Sequence, residues 1–334
     1  MSLNEYLHPI HIGGTHIPCN LFLAPLAGFT DQAFRAVCIE NGACFTYTEM
    51  VSAEGLIRNN TKTTDLLRRA PGENSYGIQL FTANPESAEA AAERCRDYKP
   101  ALIDLNCGCP VPKVVKNGAG AALLDNPEQL AAVVRGLLRG AGDIPVSVKI
   151  RTGWDDNSMN YLETGAAAVD GGASALCLHP RTRAQGYAGT AAWEHIARLK
   201  EAGPVPVLGS GDLFSPKDAA ELFAATGCDG LIFARGAIGN PFLFRQTKEF
   251  FMTGDVPPPP GAAERMETAW HQYTYLREQK GEKTAAKEIK KHFAAYTKGL
   301  PHSGELRNKL MHAETTQMFE KIIKKYLEET IILM

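Results

Sequence analysis

The chain has no CxxC pair, no early GxGxxG turn, no marked excess of charge of either sign and no apolar run long enough to cross a bilayer. Each absence removes a class of function. Its eight cysteines are scattered, and Cys107 and Cys109 form a CxC with no further ligand close by, so no metal site is expected. The same scatter is unlike the dense framework of a small secreted domain and fits reduced thiols. The opening MSLNEYLHPIHIGG lacks a basic region followed by an apolar one, and Pro25 breaks the short run Leu21–Leu26, so a cytoplasmic location is expected. The net charge is −2, which excludes a strongly basic or acidic protein as a whole. Residues 262–334 nevertheless carry 13 Lys/Arg against 10 Asp/Glu, while the first 261 residues carry 22 against 27.

What is present is an alternation. Short apolar or β-branched runs at 20–28, 44–50, 75–81, 101–108, 144–153, 175–182, 204–212 and 230–236 predict eight strands. Asn84-Pro85, Asn126-Pro127 and Ser215-Pro216 each set an N-cap residue before a proline at the first helical position. Gly42, Gly172, Gly203 and Gly227 follow helical runs, where a left-handed C-cap is expected. Eight strand-then-helix units in about 250 residues predict a (β/α)8 TIM barrel; an open, doubly wound sheet is the alternative. Within the strands, Ile78 and Leu80 oppose Gly77 and Gln79, Ile103 and Leu105 oppose Asp104 and Asn106, and Val146, Val148 and Ile150 oppose Ser147, Lys149 and Arg151. Apolar faces toward the helices then leave polar faces toward the barrel interior.

The proline-rich stretch 254–261 reads as a linker between a barrel domain at 1–253 and a helical domain at 262–334. Helices are expected over 262–280, 283–299, 303–313 and 315–330. Between Lys283 and Lys309 lie seven basic and two acidic residues, and Lys283, Lys287, Lys290 and Lys291 recur at helical spacing. A basic face of this kind suits a phosphate backbone, although a solvated helix often shows the same pattern.

Barrels of this type work at the C-terminal ends of their strands. Those ends read Ala-Pro-Leu-Ala-Gly (24–28), Asn-Cys-Gly-Cys-Pro (106–110), Lys-Ile-Arg (149–151), His-Pro-Arg-Thr-Arg-Ala-Gln (179–185) with Tyr187 and Gly189, Gly-Ser-Gly-Asp (209–212) and Ala-Arg-Gly (234–236). The last two are glycine-rich turns suited to a phosphate. In this combination, over nearly its whole length, the chain resembles the dihydrouridine synthase family, most closely its bacterial B branch. The resemblance implies an oxidoreductase that reduces the uracil C5–C6 bond in the D-loop of tRNA with FMN and NADPH.

The resemblance also implies roles. Pro25, Leu26 and Ala27 would line the flavin through their backbone, Gln79 would bond its pyrimidine edge, and Lys149 and His179 would sit beside it. Ser210, Gly211, Asp212, Ala234 and Arg235 would hold its phosphate. Cys109 would be catalytic, giving a proton to uracil C5 after hydride arrives from flavin N5 at C6; a thiol of ordinary pKa near 8.5 is protonated at neutral pH. Asn106, Arg181 and Arg183 would contact the uracil or a phosphate, and Lys287, Lys290, Lys291 and Arg307 the tRNA. Departures are Leu26 for methionine, Ser210 for asparagine, Ala234 for glycine and Phe242 for tryptophan. The expected partner is tRNA, with the protein a monomer. Two other functions stay open: a small-molecule flavin reductase of the dihydroorotate dehydrogenase type, and an RNA-binding protein that keeps the barrel only as a scaffold.

Overall fold

The computed structural model describes residues 2–331. All eight expected runs form strands: β1 (Leu21–Leu23), β2 (Phe45–Tyr47), β3 (Tyr76–Phe81), β4 (Leu102–Cys107), β5 (Val146–Arg151), β6 (Ala175–His179), β7 (Val207–Ser210) and β8 (Gly230–Phe233). Neighbours pair in parallel in sequence order, and β8 returns to β1 with Phe233 opposite Leu23, so the sheet closes on itself. The (β/α)8 barrel is therefore observed and the open sheet is not.

Seven helices follow the strands: α1 (Gln32–Glu40), α2 (Pro85–Cys95), α3 (Pro127–Ala141), α4 (Tyr161–Asp170), α5 (Glu194–Ala202), α6 (Pro216–Thr226) and α7 (Leu243–Thr253). Two one-turn helices, Ala53–Ile57 and Thr61–Asp65, stand where β2 would have its helix. The expected caps form. Asn84 Oδ1 accepts from Ser87 N at 2.6 Å, Asn126 Oδ1 from Gln129 N at 3.0 Å, and Ser215 and Asp218 build a capping box. Each cap satisfies a donor that the helix itself leaves open, worth about 1 kcal/mol. Gly42, Gly172 and Gly227 take positive φ, but Gly203 is extended at φ −124°. Its helix ends without a left-handed cap.

Strand alternation sorts the core into layers. Ile78, Leu80, Ile103, Leu105, Val146, Val148 and Ile150 join the layer between strands and helices. Phe22, Phe45 and Tyr47 fill the lower interior, their ring centroids 5.2–6.5 Å apart. Inward-facing Gly77 makes room for them, since a Cβ there would lie 2.5 Å from the Tyr47 ring. A hairpin of Ile10–Ile12 and Thr15–Ile17, which the sequence had not revealed, closes the lower end with Ile10, Ile12 and Ile17. At about 1.5–3 kcal/mol for each fully buried large side chain, this plug is a substantial part of the core. It also confines any ligand to the upper end.

The lower rim corrects one expectation. Cys19 and Cys44 are joined as a disulfide with their Cα atoms 5.6 Å apart, while the other six cysteines are free. They lie just before adjacent strands β1 and β2 at one level, where Cys44 N donates to Leu21 O, so one strand-helix unit brings them together.

Beyond the prolines come α8 (Ala262–Lys280), α9 (Glu282–Glu288), α10 (Lys290–Tyr296), α11 (Ser303–His312) and α12 (Thr316–Ile331). The single helix expected over 283–299 is thus two. At Ile289 the ladder tightens, with His292 N and Phe293 N both donating to Ile289 O. These helices bury their own core of Met266, Tyr273, Phe293, Tyr296, Leu310 and Phe319, into which Ala33 of α1 and Phe242 also pack. Residues 332–334 of the expected helical domain lie outside the described residues.

Candidate functional site

A cavity of about 520 Å³ opens at the C-terminal end of the barrel. The turn after β1 contributes Pro25, Leu26 and Ala27, the end of β4 Asn106 and Cys109, and β5 Lys149. The end of β6 adds His179, the turn after β7 Ser210, Gly211 and Asp212, and the turn after β8 Ala234 and Arg235. Six strands of one closed sheet thus bring together twelve of the candidate positions from across more than 200 residues of chain. A second hollow of about 390 Å³ lies between α11 and α12. None of the strand-end residues reach it, and Glu305–Lys309 and Lys325–Glu329 ion pairs occupy its walls. The chemistry belongs to the barrel mouth.

Cys109 stands at the cavity edge, 9% exposed. The loop that carries it is fixed from below: Asn106 Oδ1 accepts from Cys109 N at 2.9 Å and from Gly108 N at 3.2 Å. Asn106 Nδ2 donates to Gln79 Oε1 at 2.8 Å, and Gln79 Nε2 to Asp104 Oδ2 at 2.7 Å. Burial pushes the Cys109 thiol up, against an opposing backbone bond from Val111 and the charge of Arg151. A raised thiol is a protonated thiol at neutral pH, which suits an acid rather than a nucleophile.

The wall opposite is an anion cradle. Gly211 has φ +112°, and a Cβ there would come within 2.8 Å of Ala191 Cβ, so only glycine fits the turn. Asp212 follows at φ +55° and serves as an organiser. Its Oδ2 accepts from Arg181 Nη2 at 2.6 Å and from Ala191 N at 2.8 Å, and its Oδ1 from Arg235 Nη2 at 3.0 Å. Burial would raise the Asp212 carboxyl, but those bonds and the two guanidinium charges outweigh it and hold it low. Arg235 spends one nitrogen on Asp212 and lies 4.5 Å over the exposed Tyr187 ring, with the rest of its fork toward the cavity. His179 is pushed down to about 2 by burial and by Lys149, Arg151, Arg181 and Arg235, so it is neutral. Its Nε2 faces Arg181 Nη1 at 3.3 Å. Since arginine only donates, Nε2 accepts and the ring proton sits on Nδ1.

A phosphorylated group that also carries negative charge beside β5 fits this donor set. The cradle offers a guanidinium and glycine-shaped turns to a phosphate. Among the described residues Lys149 makes no ion pair, leaving its cation to a ligand beside β5.

Several candidates lie elsewhere. Gln79 is fully buried below the cavity floor, because both ends of its amide are spent on Asp104 and Asn106. Arg181 is 1% exposed behind the wall, its fork turned to Asp212, Ala188 O and Gly189 O. Arg183 stacks 4.4 Å over Trp154 and does not line the cavity. Lys287 and Lys290 are on the helical part, Lys287 exposed and Lys290 half-buried, and Arg307 turns inward to Thr297 Oγ1. Lys291 instead reaches back to the barrel, donating to Gly28 O and lying 5.4 Å over the Phe29 ring. This contact takes it out of a free basic face.

Other residues were missed. Arg151 lines the cavity and pins both flanking loops, donating to Gly108 O at 2.8 Å, Thr182 O at 3.0 Å and Gly186 O at 2.9 Å. Its inward parity with Lys149 was the available signal. Tyr187 and Phe214, both about half exposed, rim the cavity beside Arg235, and Met50 enters from the loop after β2. Ser210, where the family has asparagine, donates its hydroxyl to Ile232 O and so faces the barrel wall. Phe242, in place of tryptophan, is buried against the C-terminal helices.

A family model described as dihydrouridine synthase matches residues 22–332. A probable tRNA-dihydrouridine synthase of Treponema pallidum (strain Nichols) is 43% identical over 333 residues, spanning 97% of this chain and 98% of that one. tRNA-dihydrouridine synthase B of Xanthomonas campestris pv. campestris is 33% identical, spanning 96% and 97%. Among solved structures, histamine dehydrogenase from Rhizobium sp. 4-9 superposes with a TM-score of 0.59 at 15% identity over 82% of this chain. A 2-naphthoyl-CoA reductase superposes at 0.57 and 13% over 74%. At such identities these two speak for the barrel alone, and this chain spans only 51% and 52% of their lengths.

Proposed function

The chain belongs to the dihydrouridine synthase family, and from that premise we propose that it reduces the C5–C6 bond of a D-loop uridine in tRNA, with bound FMN, NADPH as the electron donor and Cys109 as the proton donor. The observation that carries this is the position of Cys109: a buried, protonated thiol at the edge of a 520 Å³ cavity, held by its own backbone N–H to Asn106.

Pro25–Ala27, Lys149 and His179 would hold the flavin ring, and Gly211 and Arg235 its phosphate, with Asp212 fixing the arginine. When bound, the flavin supplies hydride to uracil C6. The protein's own part is the other half of the addition. Cys109 gives its Sγ proton to C5, where electron density has gathered, and the base becomes 5,6-dihydrouracil. Lys149 sets a cation beside the ring system, stabilising negative charge there. Arg151 holds the Cys109 loop through Gly108 O, so the donor stays at one place as the base enters. Neutral His179 adds no competing acid at this pH.

We assign the tRNA to the face formed by the barrel mouth and the 262–334 helices, and take the protein to act as a cytoplasmic monomer. No described helix is long and apolar enough to cross a membrane. The decisive experiment is nucleoside mass spectrometry after incubating purified protein, FMN and NADPH with tRNA from cells lacking dihydrouridine. Dihydrouridine is the expected product. A yellow, NADPH-oxidising protein that makes none would move the substrate to free pyrimidines.

The basic residues separate into two kinds. Neutralising Lys287 and Lys290 together is expected to weaken tRNA binding several-fold and to lower the slope of log K against log salt by about 0.7–0.9 for each phosphate no longer neutralised. An unchanged slope in filter-binding titrations would remove these lysines from the interface. Lys291 is left out of that pair because it holds Gly28 O, next to Ala27 and Phe29 of the cavity lining.

A further inference from the structure

We propose that Asp104 is a positioning residue that fixes the hydrogen-bonding polarity of Asn106, making the site a receptor for a carbonyl oxygen such as uracil O4 and not for the amino group of cytosine. This rests on the uridine reading above and adds to it the group that enforces the base.

The argument is one of direction. An ionised carboxylate can only accept. Asp104 Oδ1 takes Ser147 Oγ at 2.6 Å, and Oδ2 takes Gln79 Nε2 at 2.7 Å. With its NH2 turned to Asp104, Gln79 must present Oε1 on its other side, where it meets Asn106 Nδ2 at 2.8 Å. Asn106 must then turn Oδ1 away, and both of its acceptor positions are filled by the N–H groups of Gly108 and Cys109. What remains is the second Nδ2–H of Asn106, beside Met50 Sδ at 3.8 Å, a weak partner. Both residues line the cavity. The only polarity Asn106 can offer a base is therefore that of a donor. A carbonyl oxygen completes it, whereas an amino group would set donor against donor.

The strand register explains why the relay forms. Gln79 is opposite Asp104, and Asp104 opposite Ser147, all on the inward parity of β3, β4 and β5. Gln79 and Asp104 are 0% and 2% exposed and lie below the cavity, so water is not at hand to pair a reversed Gln79 amide, and a wrong flip leaves oxygen against oxygen at Asp104.

The relay also predicts a pH signature. Burial pushes the Asp104 carboxyl up to about 6, against the bonds from Gln79 and Ser147 and the charge of Lys149. The other titratable groups in its electrostatic surroundings are Tyr47 on β2, Cys177 on β6 and Cys107 on its own strand. Tyr47 and Cys177 are raised and neutral in this range, as is Cys107, and among the described residues Lys149 is the cation that acts on Asp104. Below about pH 6 Asp104 becomes a donor and no longer dictates the orientation of Gln79.

The test uses flavin-loaded wild type, D104N and Gln79→Met with tRNA transcripts made with uridine or with 4-thiouridine, whose sulfur is a poor acceptor. Rates are referred to bound flavin, over pH 5–8. Wild type should favour the 4-oxygen by about tenfold or more and lose activity as pH falls through about 6. D104N should lose about 30-fold in kcat/KM on uridine, reduce the oxygen preference to about twofold, and lack the acid limb. The rate of Cys109 alkylation by iodoacetamide, followed by peptide mass spectrometry, reads the same relay without turnover and should lose its inflection near pH 6 in D104N. If D104N does not fold, Gln79→Met carries the test, since severing the middle of the chain should remove the oxygen preference as well. Wild-type preference and an unaltered acid limb in either folded variant would overturn the proposal. Wild type that makes no dihydrouridine at all would overturn the uridine reading, and this proposal with it.

Discussion

Cys109→Ala is expected to lower dihydrouridine formation by about 10²–10⁴-fold, the span that a positioned general acid contributes, while the protein still binds flavin and oxidises NADPH. The argument starts from environment. Sγ sits in a small apolar cluster with Val114 and Ala119, packed by Met50, Phe81 and Ala83, and that burial raises its pKa. Val111 N–H and Arg151 pull the other way without reversing the direction. The sign for activity follows. The protonated thiol is the working form, so product formation persists through neutral pH and falls only as pH rises through the thiol's elevated value. Cys109→Ser keeps the shape with a far weaker acid and should also be slow, but without the alkaline limb of wild type. Because the loop is held by backbone and Asn106 contacts that alanine keeps, the variant should fold. Wild-type rates of product in Cys109→Ala, measured by mass spectrometry of digested tRNA, would remove Cys109 from the proton transfer and point to water or Arg151 as the donor's route.

The barrel was legible because its signals are local. Each strand is an apolar run closed by Gly, Pro or a polar turn, and Asn84, Asn126 and Ser215 announce helices through bonds made within three residues. The cavity lining was legible for a different reason: the barrel pattern marked the strand ends, resemblance gave their residues roles, and strand parity put Lys149 and Asn106 inside. What sequence could not show is who bonds whom inside the barrel. Gln79, expected at a cofactor, is consumed by Asp104 and Asn106. Arg181, expected at the uracil or a phosphate, is consumed by Asp212. Both are long-range pairings, 25 and 31 residues apart, and no spacing rule encodes them. The lower hairpin was hidden because each of its strands is three residues long and His11 and His16 occupy its outward positions. Cys19–Cys44 was hidden because a separation of 25 residues brings two cysteines together only once β1 and β2 are known to be neighbours.

The largest expected loss of stability comes from a pair far from the chemistry. Arg35 of α1 and Glu73 are 1% and 0% exposed, and Arg35 Nε donates to Glu73 Oε1 at 2.8 Å. Arg35 also donates to Arg68 O at 2.6 Å and Thr30 O at 3.3 Å, while Glu73 accepts from the Thr46 hydroxyl and from Ala70 N. Together they fasten the 66–74 loop to α1, to β2 and to the end of the turn that lines the cavity. Glu73→Ala leaves a guanidinium buried with no counter-charge, and removing one partner of such a pair costs about 3–5 kcal/mol. Against a total stability of about 5–15 kcal/mol this is a large share, and a fall of roughly 6–12 °C in the thermal midpoint is expected. Arg35→Met together with Glu73→Leu removes both charges and keeps most of the volume, so the double variant should be more stable than Glu73→Ala alone. That ordering is the test. A double variant as unstable as the sum of its singles would mean that the two side chains act separately, through packing and backbone contacts, and that their pairing contributes nothing beyond them.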